Sequence, residues 1–323
     1  MPTAAARSRD ANEATDIAHR LVDHVATVLE GKRAVIELAV VTLLARGHLL
    51  IEDVPGVGKT TLARALAASL GVSFRRVQFT SDLMPADVLG GNVYEPSTGK
   101  FSFRPGPIFT NVLLADEINR TTPKTQSALL EAMDEGRASI DGHTHALGDP
   151  FFVVATQNPQ DFYGTYPLPE SQLDRFLVRT HIGYPPPEVE RSVIDRRRGR
   201  DPIDGLSPVI SRDELATAQR ALDHVRVEAA VIEYLHDVVL RTRRSPLLAL
   251  GVSTRAALGL ERTIRARAVV EGRAYALPDD VKQLAVPVFA HRVRVGESAH
   301  GQHSRADAEA IIQEIVDSLP VPV

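Results

Sequence analysis

A glycine-rich segment between an apolar strand and a helix is the feature that most constrains the fold. It runs Glu52-Asp53-Val54-Pro55-Gly56-Val57-Gly58-Lys59-Thr60-Thr61. The apolar run that ends at Glu52 predicts a strand, and the pattern from Lys59 to Leu70 predicts a helix. A loop of this kind wraps its backbone N–H groups around phosphates at a helix N-terminus, where a Cβ would obstruct the approach. Residues 55–61 are therefore predicted to bind the phosphates of a nucleotide.

Two side chains at the end of this loop have distinct expected roles. Lys59 supplies a point charge for the terminal phosphates, and Thr60 supplies a hydroxyl ligand for Mg²⁺. Asp53 stands where the usual pattern has its first glycine, so the strict pattern fails at one position. The alternative is an ordinary glycine-rich turn, which the strand before the loop and the helix after it disfavour.

A second motif consists of an apolar strand that ends in two acids. It runs Asn111-Val112-Leu113-Leu114-Ala115-Asp116-Glu117. Asp116 is predicted to hold Mg²⁺, through water, and Glu117 to orient and deprotonate an attacking water as the general base. The alternative is a strand that merely ends in solvated acids.

Strands and helices alternate in the first half of the chain, which predicts an α/β fold with a doubly wound parallel sheet. Apolar runs predict central strands at Val112–Ala115 and Phe151–Thr156, with a weaker strand at Val77–Thr80. Residues 89–103 and 138–150 interrupt this alternation of strands and helices. The first is predicted to form a hairpin from Asn92 to Phe103, and the second contains a turn at Asp141-Gly142.

A run of prolines, Pro185-Pro186-Pro187, ends this pattern, and the rest of the chain is predicted to be helical. The expected domains are an α/β nucleotide-binding core over residues 1–188 and a smaller, all-helical lid over residues 189–323.

Charge and composition exclude several classes of function. The chain has 37 Lys plus Arg against 41 Asp plus Glu, a net charge of −4, so no overall affinity for nucleic acid or anionic membrane is expected. Cysteine is absent, which excludes disulfides and thiolate chemistry and fits a cytoplasmic protein. Glu37, Arg46 and His48 interrupt the longest apolar run, so no integral membrane segment is predicted.

Five ordered blocks together resemble the MoxR branch of AAA+ ATPases, from about Val28 onward. They are the glycine-rich loop, Leu113-Leu-Ala-Asp-Glu-Ile-Asn-Arg120, Val154-Ala-Thr-Gln-Asn-Pro159, Pro169-Glu-Ser-Gln-Leu-Asp-Arg-Phe176 and Gly251-Val-Ser-Thr-Arg-Ala256. The resemblance implies that ATP is the nucleotide. It also implies that residues 89–103 are an insert within helix 2 and residues 138–150 a hairpin before sensor 1.

Three further site residues follow from this resemblance. Asn158 matches sensor 1, which bonds the γ-phosphate and the lytic water; a strand-end turn before Pro159 is the alternative. Arg175 matches the arginine finger, which reaches a neighbouring subunit, whereas the alternative is an ion pair with Asp174 or Glu170. Arg255 matches the sensor 2 arginine by which the lid senses nucleotide, and the alternative is a solvated helix arginine.

The resemblance also implies a working form and a class of partner. Members act as chaperones in rings, expected to be hexamers, that mature or activate a protein complex, commonly with a partner carrying a von Willebrand factor A domain. Three alternatives stay open from the sequence. They are a nucleic-acid motor or loader, a magnesium-chelatase-like subunit, and a slow, nucleotide-switched scaffold.

Two weaker features have ordinary interpretations. His143 and His145 could bind a metal but are more typical of a solvated hairpin face. The run Arg196-Arg197-Arg198 could contact phosphates, but no aromatic residues for base stacking lie nearby, which favours a solvated helix end or subunit contact.

Overall fold

The computed structural model describes residues 4–158, 164–196, 202–296 and 305–322. Its strands are β1 (Leu49–Glu52), β2 (Phe74–Gln78), β3 (Gly90–Glu95), β4 (Lys100–Pro105), β5 (Val112–Asp116), β6 (Arg137–Ile140), β7 (His143–Ala146), β8 (Phe152–Gln157), β9 (Val178–Thr180), β10 (Leu248–Leu250) and β11 (Arg294–Val295). Its helices are α1 (Ala4–Ala26), α2 (Arg33–Leu44), α3 (Lys59–Leu70), α4 (Pro85–Leu89), α5 (Pro123–Glu135), α6 (Glu170–Leu173), α7 (Pro187–Arg196), α8 (Arg212–Ala221), α9 (Ala229–Arg244), α10 (Thr254–Val270), α11 (Pro278–Phe289) and α12 (Arg305–Ser318).

Within these ranges, five strands form one parallel sheet in the order β2-β5-β8-β1-β9. Glu52 pairs with Gln157, and Gln78 pairs with Asp116. Because all five strands run the same way, their carboxyl ends meet at one edge of the sheet, where ligands bind in folds of this kind. The expected parallel sheet is confirmed.

The central strands bury side chains on both faces of the sheet. Leu49 and Ile51 belong to the larger apolar core, which α1, α2, α3 and the later helices cover. Leu50 points to the smaller core, which contains Leu129 and Leu130 of α5. Alternate residues of a strand face opposite sides, so a strand buried on both faces has a continuous apolar sequence.

The weak strand predicted at Val77–Thr80 was placed too late in the sequence, since β2 occupies Phe74–Gln78. β2 lies at the edge of the sheet, and only Val77 of its residues is buried. Because Arg75 and Arg76 are exposed, β2 lacks the continuous apolar run that predicts a buried strand.

The later helices pack on the larger core and form a lid that is helical apart from one short antiparallel pair, β10 with β11. These strands are too short to show a period, which is why the sequence suggested helices alone. Helix α1 binds the lid directly, since Thr15 Oγ1 donates to Val269 O at 2.9 Å. The domain boundary placed at residue 188, between the nucleotide-binding core and the lid, stays a prediction.

The two segments that interrupt the alternation of strands and helices form β-hairpins, β3–β4 and β6–β7. They contact each other, because the ring of His145 stacks on Phe103 with centroids 3.9 Å apart and Asn92 Nδ2 donates to Asp141 at 2.8 Å. Among the described residues, no His, Cys, Asp or Glu cluster could hold a metal through three or more ligands. None of the described helices is long and apolar enough to cross a bilayer. Arg197 and Arg198 lie outside the described residues.

Candidate functional site

The glycine-rich loop leaves the carboxyl end of β1 and enters α3 at Lys59. Gly56 and Gly58 have φ angles of +85° and +103°, a region that disfavours side chains other than glycine. A Cβ on Gly58 would lie 2.8 Å from Leu29 Cδ1, whereas Gly56 faces open space to 4 Å. Pro55 is exposed, Val57 is buried, and Thr60 and Thr61 are half-buried in the first turn of α3. The loop thus presents open space in front of a helix N-terminus.

Asp53 explains the missing first glycine. Its buried carboxylate accepts hydrogen bonds from three backbone N–H groups, those of Val54 at 2.8 Å, Ile182 at 2.6 Å and Gly183 at 2.7 Å. Ile182 and Gly183 follow β9, so Asp53 ties the start of the loop to the strand beside β1. The sequence pattern contains no indication of this contact.

Lys59 points back over the loop, where its Nζ donates to Asp53 O at 2.5 Å. Burial lowers the pKa of this ammonium, while the carboxylates of Asp116, Asp53 and Glu117 partly oppose the shift. A partly desolvated cation beside open space is suited to an anionic ligand.

Asp116 ends β5 within a network that sequence reasoning missed. Its Oδ2 accepts from Arg76 Nε at 3.0 Å and Nη2 at 2.5 Å, and its Oδ1 accepts from Thr156 Oγ1 at 2.6 Å. Arg76 comes from β2 and Thr156 from β8, the two strands that flank β5. The carboxylate therefore has a fixed plane and a cation on one oxygen.

Glu117 is also held by neighbours. It has a left-handed backbone with φ of 57°, and its N–H donates to Thr156 Oγ1 at 2.9 Å. Its Oε2 accepts from Gln78 Nε2 at 2.6 Å and pairs with Arg120 Nε at 3.1 Å. Gln78 and Arg120 were not identified from the sequence, because neither belongs to a recognisable motif.

Asn158 follows the carboxyl end of β8 and is buried. The adjacent Gln157 O accepts from Asp53 N at 3.1 Å, so the end of β8 lies against the start of the glycine-rich loop. The structure thus brings Lys59, Asp116, Glu117 and Asn158 to the same edge of the sheet.

A cavity of about 260 Å³ adjoins the loop. Its wall includes Gly56, Gly58 and Thr61, and Val28 and Leu29 from the segment after α1. The opposite wall comes from the proline-rich break and the elements after it: Pro185, Val189, Val193, Pro202 and Ile203. In the sequence that break is only a predicted boundary, because nothing in a run of prolines indicates that it lines a pocket.

Arg175 and Arg255 do not lie with Lys59, Asp116 and Glu117 at the carboxyl edge of the sheet. Both bind the carboxylate of Asp134 at the end of α5, Arg175 through Nη1 at 3.2 Å and Arg255 through Nη1 at 3.3 Å and through Nη2. The ion pairs of Arg175 with Asp174 or Glu170 that the sequence left open are replaced by this one. The hydrogen bond to Asp134 raises the pKa of Arg255.

This arginine pair belongs to the amino edge of the sheet. Asp134 follows Met133, whose carbonyl accepts from His48 Nε2 at 3.1 Å, and His48 immediately precedes β1. The loop with Lys59 begins at the other end of β1, about 13 Å away for a four-residue strand. The structure therefore does not bring Arg175 or Arg255 to the phosphate-binding loop of their own chain.

A glycine-rich loop between a parallel strand and a helix, acids on the neighbouring strand and a helical lid define a P-loop ATPase of the AAA+ class. Residues 48–178 match the ATPase family associated with various cellular activities (AAA), and residues 240–315 match the AAA lid domain.

Similar proteins show to which family within the AAA+ class the chain belongs. The uncharacterized protein YeaC of Bacillus subtilis is 48% identical over 304 residues, which are 94% of each chain. Chaperone MoxR1 of Mycobacterium tuberculosis is 38% identical over 94% of this chain and 82% of its own length. A crystal structure from Cytophaga hutchinsonii, provisionally assigned as an ATPase, has a TM-score of 0.88 and 33% identity over 98% of both chains. The chain belongs to the MoxR family of AAA+ ATPases.

Proposed function

We propose that this chain hydrolyses ATP to ADP and phosphate with Mg²⁺, in active sites shared between identical subunits of a ring, and acts on a protein complex. The observation that carries this proposal is the separation of the two halves of the site. The loop and its acids lie at the carboxyl edge of the sheet, whereas Arg175 and Arg255 lie at the amino edge.

The chain's own residues fit a nucleotide. The apolar cavity beside Val28 and Val189 accepts a base, and the backbone around Gly56 and Gly58 surrounds the phosphates. Lys59, whose ammonium is already partly desolvated, pairs with the terminal phosphates.

Thr60 and Asp116 would hold Mg²⁺, since hydroxyl and carboxylate oxygens are the ligands it prefers. The ion would supply positive charge to offset the negative charge of the phosphate oxygens. Arg76 now occupies one oxygen of Asp116, so this guanidinium has to share or leave that oxygen.

Glu117 is the proposed general base, and Asn158, at the same edge of the sheet, is proposed to orient the water. The bonds from Gln78 and Arg120 hold the Glu117 carboxylate toward β2, and turning it to a water requires their release. Hydrolysis is thereby tied to a small side-chain movement at the strand end.

Arg175 and Arg255 are proposed to complete the site of a neighbouring subunit, where they stabilise charge that develops on the γ-phosphate. Since unlike surfaces meet in such a contact, the subunits are joined head to tail, and a closed ring results if the rotation closes. We expect six subunits.

The proposed client is a protein complex, and the name chaperone carried by the Mycobacterium tuberculosis relative supports this proposal. The face of the β3–β4 hairpin that carries Tyr94 and Phe101 is exposed, at 52% and 71%, and offers an apolar contact surface. A partner carrying a von Willebrand factor A domain belongs to the same proposal.

The test is steady-state ATP hydrolysis against protein concentration for wild type, Glu117→Gln, Arg175→Ala and an equal mixture of both variants. We expect specific activity to rise with concentration, each variant to lose activity about 100-fold or more, and the mixture to recover turnover. Arg226→Ala, which removes a surface ion pair with Glu228, is the matched control.

Normal turnover of Arg175→Ala, with activity independent of concentration, would contradict the shared site. Stimulation by DNA that weakens steeply with salt would instead favour a nucleic-acid motor.

A further inference from the structure

Two lid residues hold the backbone beside Arg175. The carbonyl of Phe176 accepts a hydrogen bond from Arg292 Nη2 at 2.6 Å. Arg292 Nε donates to His291 Nε2 at 3.2 Å, and this ring nitrogen lies 2.9 Å from the same carbonyl. His291 and Arg292 follow α11, more than 110 residues later in the chain. Residues 174–176, here called the finger segment, are thus bound by the lid on the C-terminal side of Arg175.

The lid also binds the N-terminal side of the finger segment. The carboxylate of Asp174 lies 3.5 Å from Arg292 Nε, and it accepts from Ser253 Oγ at 3.4 Å. Ser253 caps α10, the helix that carries Arg255, by accepting from Ala256 N at 3.0 Å. Arg292 therefore contacts both neighbours of Arg175.

Burying the guanidinium of Arg292 at this position carries a desolvation penalty. It is only 6% exposed, and burial lowers its pKa to about 10 even though Asp174 opposes the shift. An apolar residue of similar volume would fill the space without desolvating a charge. What an arginine adds is a rigid fork of donors with a fixed charge: here Nη2 donates to the Phe176 carbonyl, Nε donates to His291, and the guanidinium forms an ion pair with Asp174.

We propose that Arg292, assisted by His291, is a positioning residue for Arg175. It ties the residues on both sides of Arg175 to the lid, through the Asp174 carboxylate and the Phe176 carbonyl, so that movement of the lid carries the arginine into or out of the neighbouring subunit's site. This inference rests on the proposed function, in which Arg175 acts on a neighbour.

The test compares Arg292→Met, Arg292→Lys and His291→Gln in the full chain by two measurements: ATP hydrolysis, and equilibrium binding of a fluorescent ATP analogue. Arg273→Met is the matched control, because Arg273 is a partly buried lid arginine that pairs with Asp280 inside the lid. We expect Arg292→Met to reduce kcat about 10-fold or more and to leave the Kd for the analogue within about twofold. Arg292→Lys, which keeps one donor and the charge, should retain an intermediate rate.

Mixing subunits separates positioning from a general structural role. Arg292→Met keeps its own Glu117 but presents a displaced finger segment, whereas Glu117→Gln presents an intact one. An equal mixture should regain about a quarter of the wild-type rate if subunits assort at random in a ring. If Arg292→Met does not yield folded protein, Arg292→Lys and His291→Gln undergo the same mixing.

Three results would overturn the proposal. Weaker binding of the analogue by Arg292→Met would place its effect in its own nucleotide site. Recovery by the Arg175→Ala and Glu117→Gln mixture, without recovery by Arg292→Met and Glu117→Gln, would reject the positioning role alone. Recovery by neither mixture would reject the shared site, and the positioning role with it.

Discussion

Arg175 and Arg255 meet on one carboxylate, that of Asp134, although they lie 80 residues apart and come from the sheet domain and the lid. Two guanidinium groups repel each other, and an anion between them offsets this repulsion. Asp134 therefore keeps both arginines at one place on the amino edge of the sheet.

Asp134→Asn should impair the arginine pair without affecting nucleotide binding. The amide cannot offset two positive charges, so both side chains separate, and we expect a loss of about 10-fold in kcat. Like Arg175→Ala, this variant should be rescued by Glu117→Gln subunits. Glu135→Gln, which removes only the partner of Arg137, is the control. A Kd change for ATP in Asp134→Asn would contradict the prediction.

Arg76→Gln tests the cation on Asp116. Because the guanidinium occupies Oδ2, its removal should lower the Mg²⁺ concentration needed for half-maximal ATP binding by about threefold, as expected for one screened surface charge. Titration of Mg²⁺ against a fluorescent ATP analogue measures this. Arg75→Gln, at the exposed neighbouring position, is the control. A higher Mg²⁺ requirement would mean that Arg76 orients Asp116 rather than competing for it.

Asp53→Gly restores the usual glycine of the loop pattern, yet we expect it to destabilise the protein. The backbone N–H groups of Ile182 and Gly183 would lose their acceptor in a buried setting, at a cost of about 2–4 kcal/mol. Calorimetry should show Tm lower by about 5 °C or more. Asp53→Asn keeps one acceptor oxygen, so its Tm should lie between those of the wild type and Asp53→Gly. An unchanged Tm for Asp53→Gly would show that the contact adds no stability.

His48 should make stability depend on pH. Burial lowers its pKa from 6.5 to about 4, and the neutral ring accepts from Val153 N and donates to Met133 O. Since the unfolded chain binds the proton more readily, this contribution is complete above about pH 6.5 and decreases as the pH falls toward 4, by about 3 kcal/mol in all. Urea unfolding from pH 7.5 to 4.5 measures the slope, which His48→Gln should flatten. His143→Gln, on an exposed hairpin residue, should leave the slope unchanged.

The elements that sequence analysis located well are those with strong local patterns. Helix α3 begins at Lys59 and ends at Leu70 as predicted, because the loop fixes its start and Gly71 ends it in the left-handed region. β5 and β8 were found because strands buried on both faces have continuous apolar sequences. β2 was misplaced because an edge strand buries too little to show that signal.

The contacts around the candidate site could not be predicted in the same way. Arg76 reaches Asp116 across 40 residues and Arg255 reaches Asp134 across 121, and no local pattern encodes such pairs. The same holds for Asp53, whose partners Ile182 and Gly183 are adjacent only because β9 pairs with β1. Motifs identify the chemistry of a residue, whereas its partners depend on the fold.

Helix α1 has a consequence for building hybrids of related ATPases. Besides Thr15, His19 lies 2.8 Å from Val270 O, and Arg20 pairs with Glu214 of α8 at 2.7 Å. The first helix of the chain is thus matched to surfaces that are encoded some 200 residues later. A chimera that exchanges the lid between two relatives should exchange α1 together with it, since the fitted unit is discontinuous in the gene.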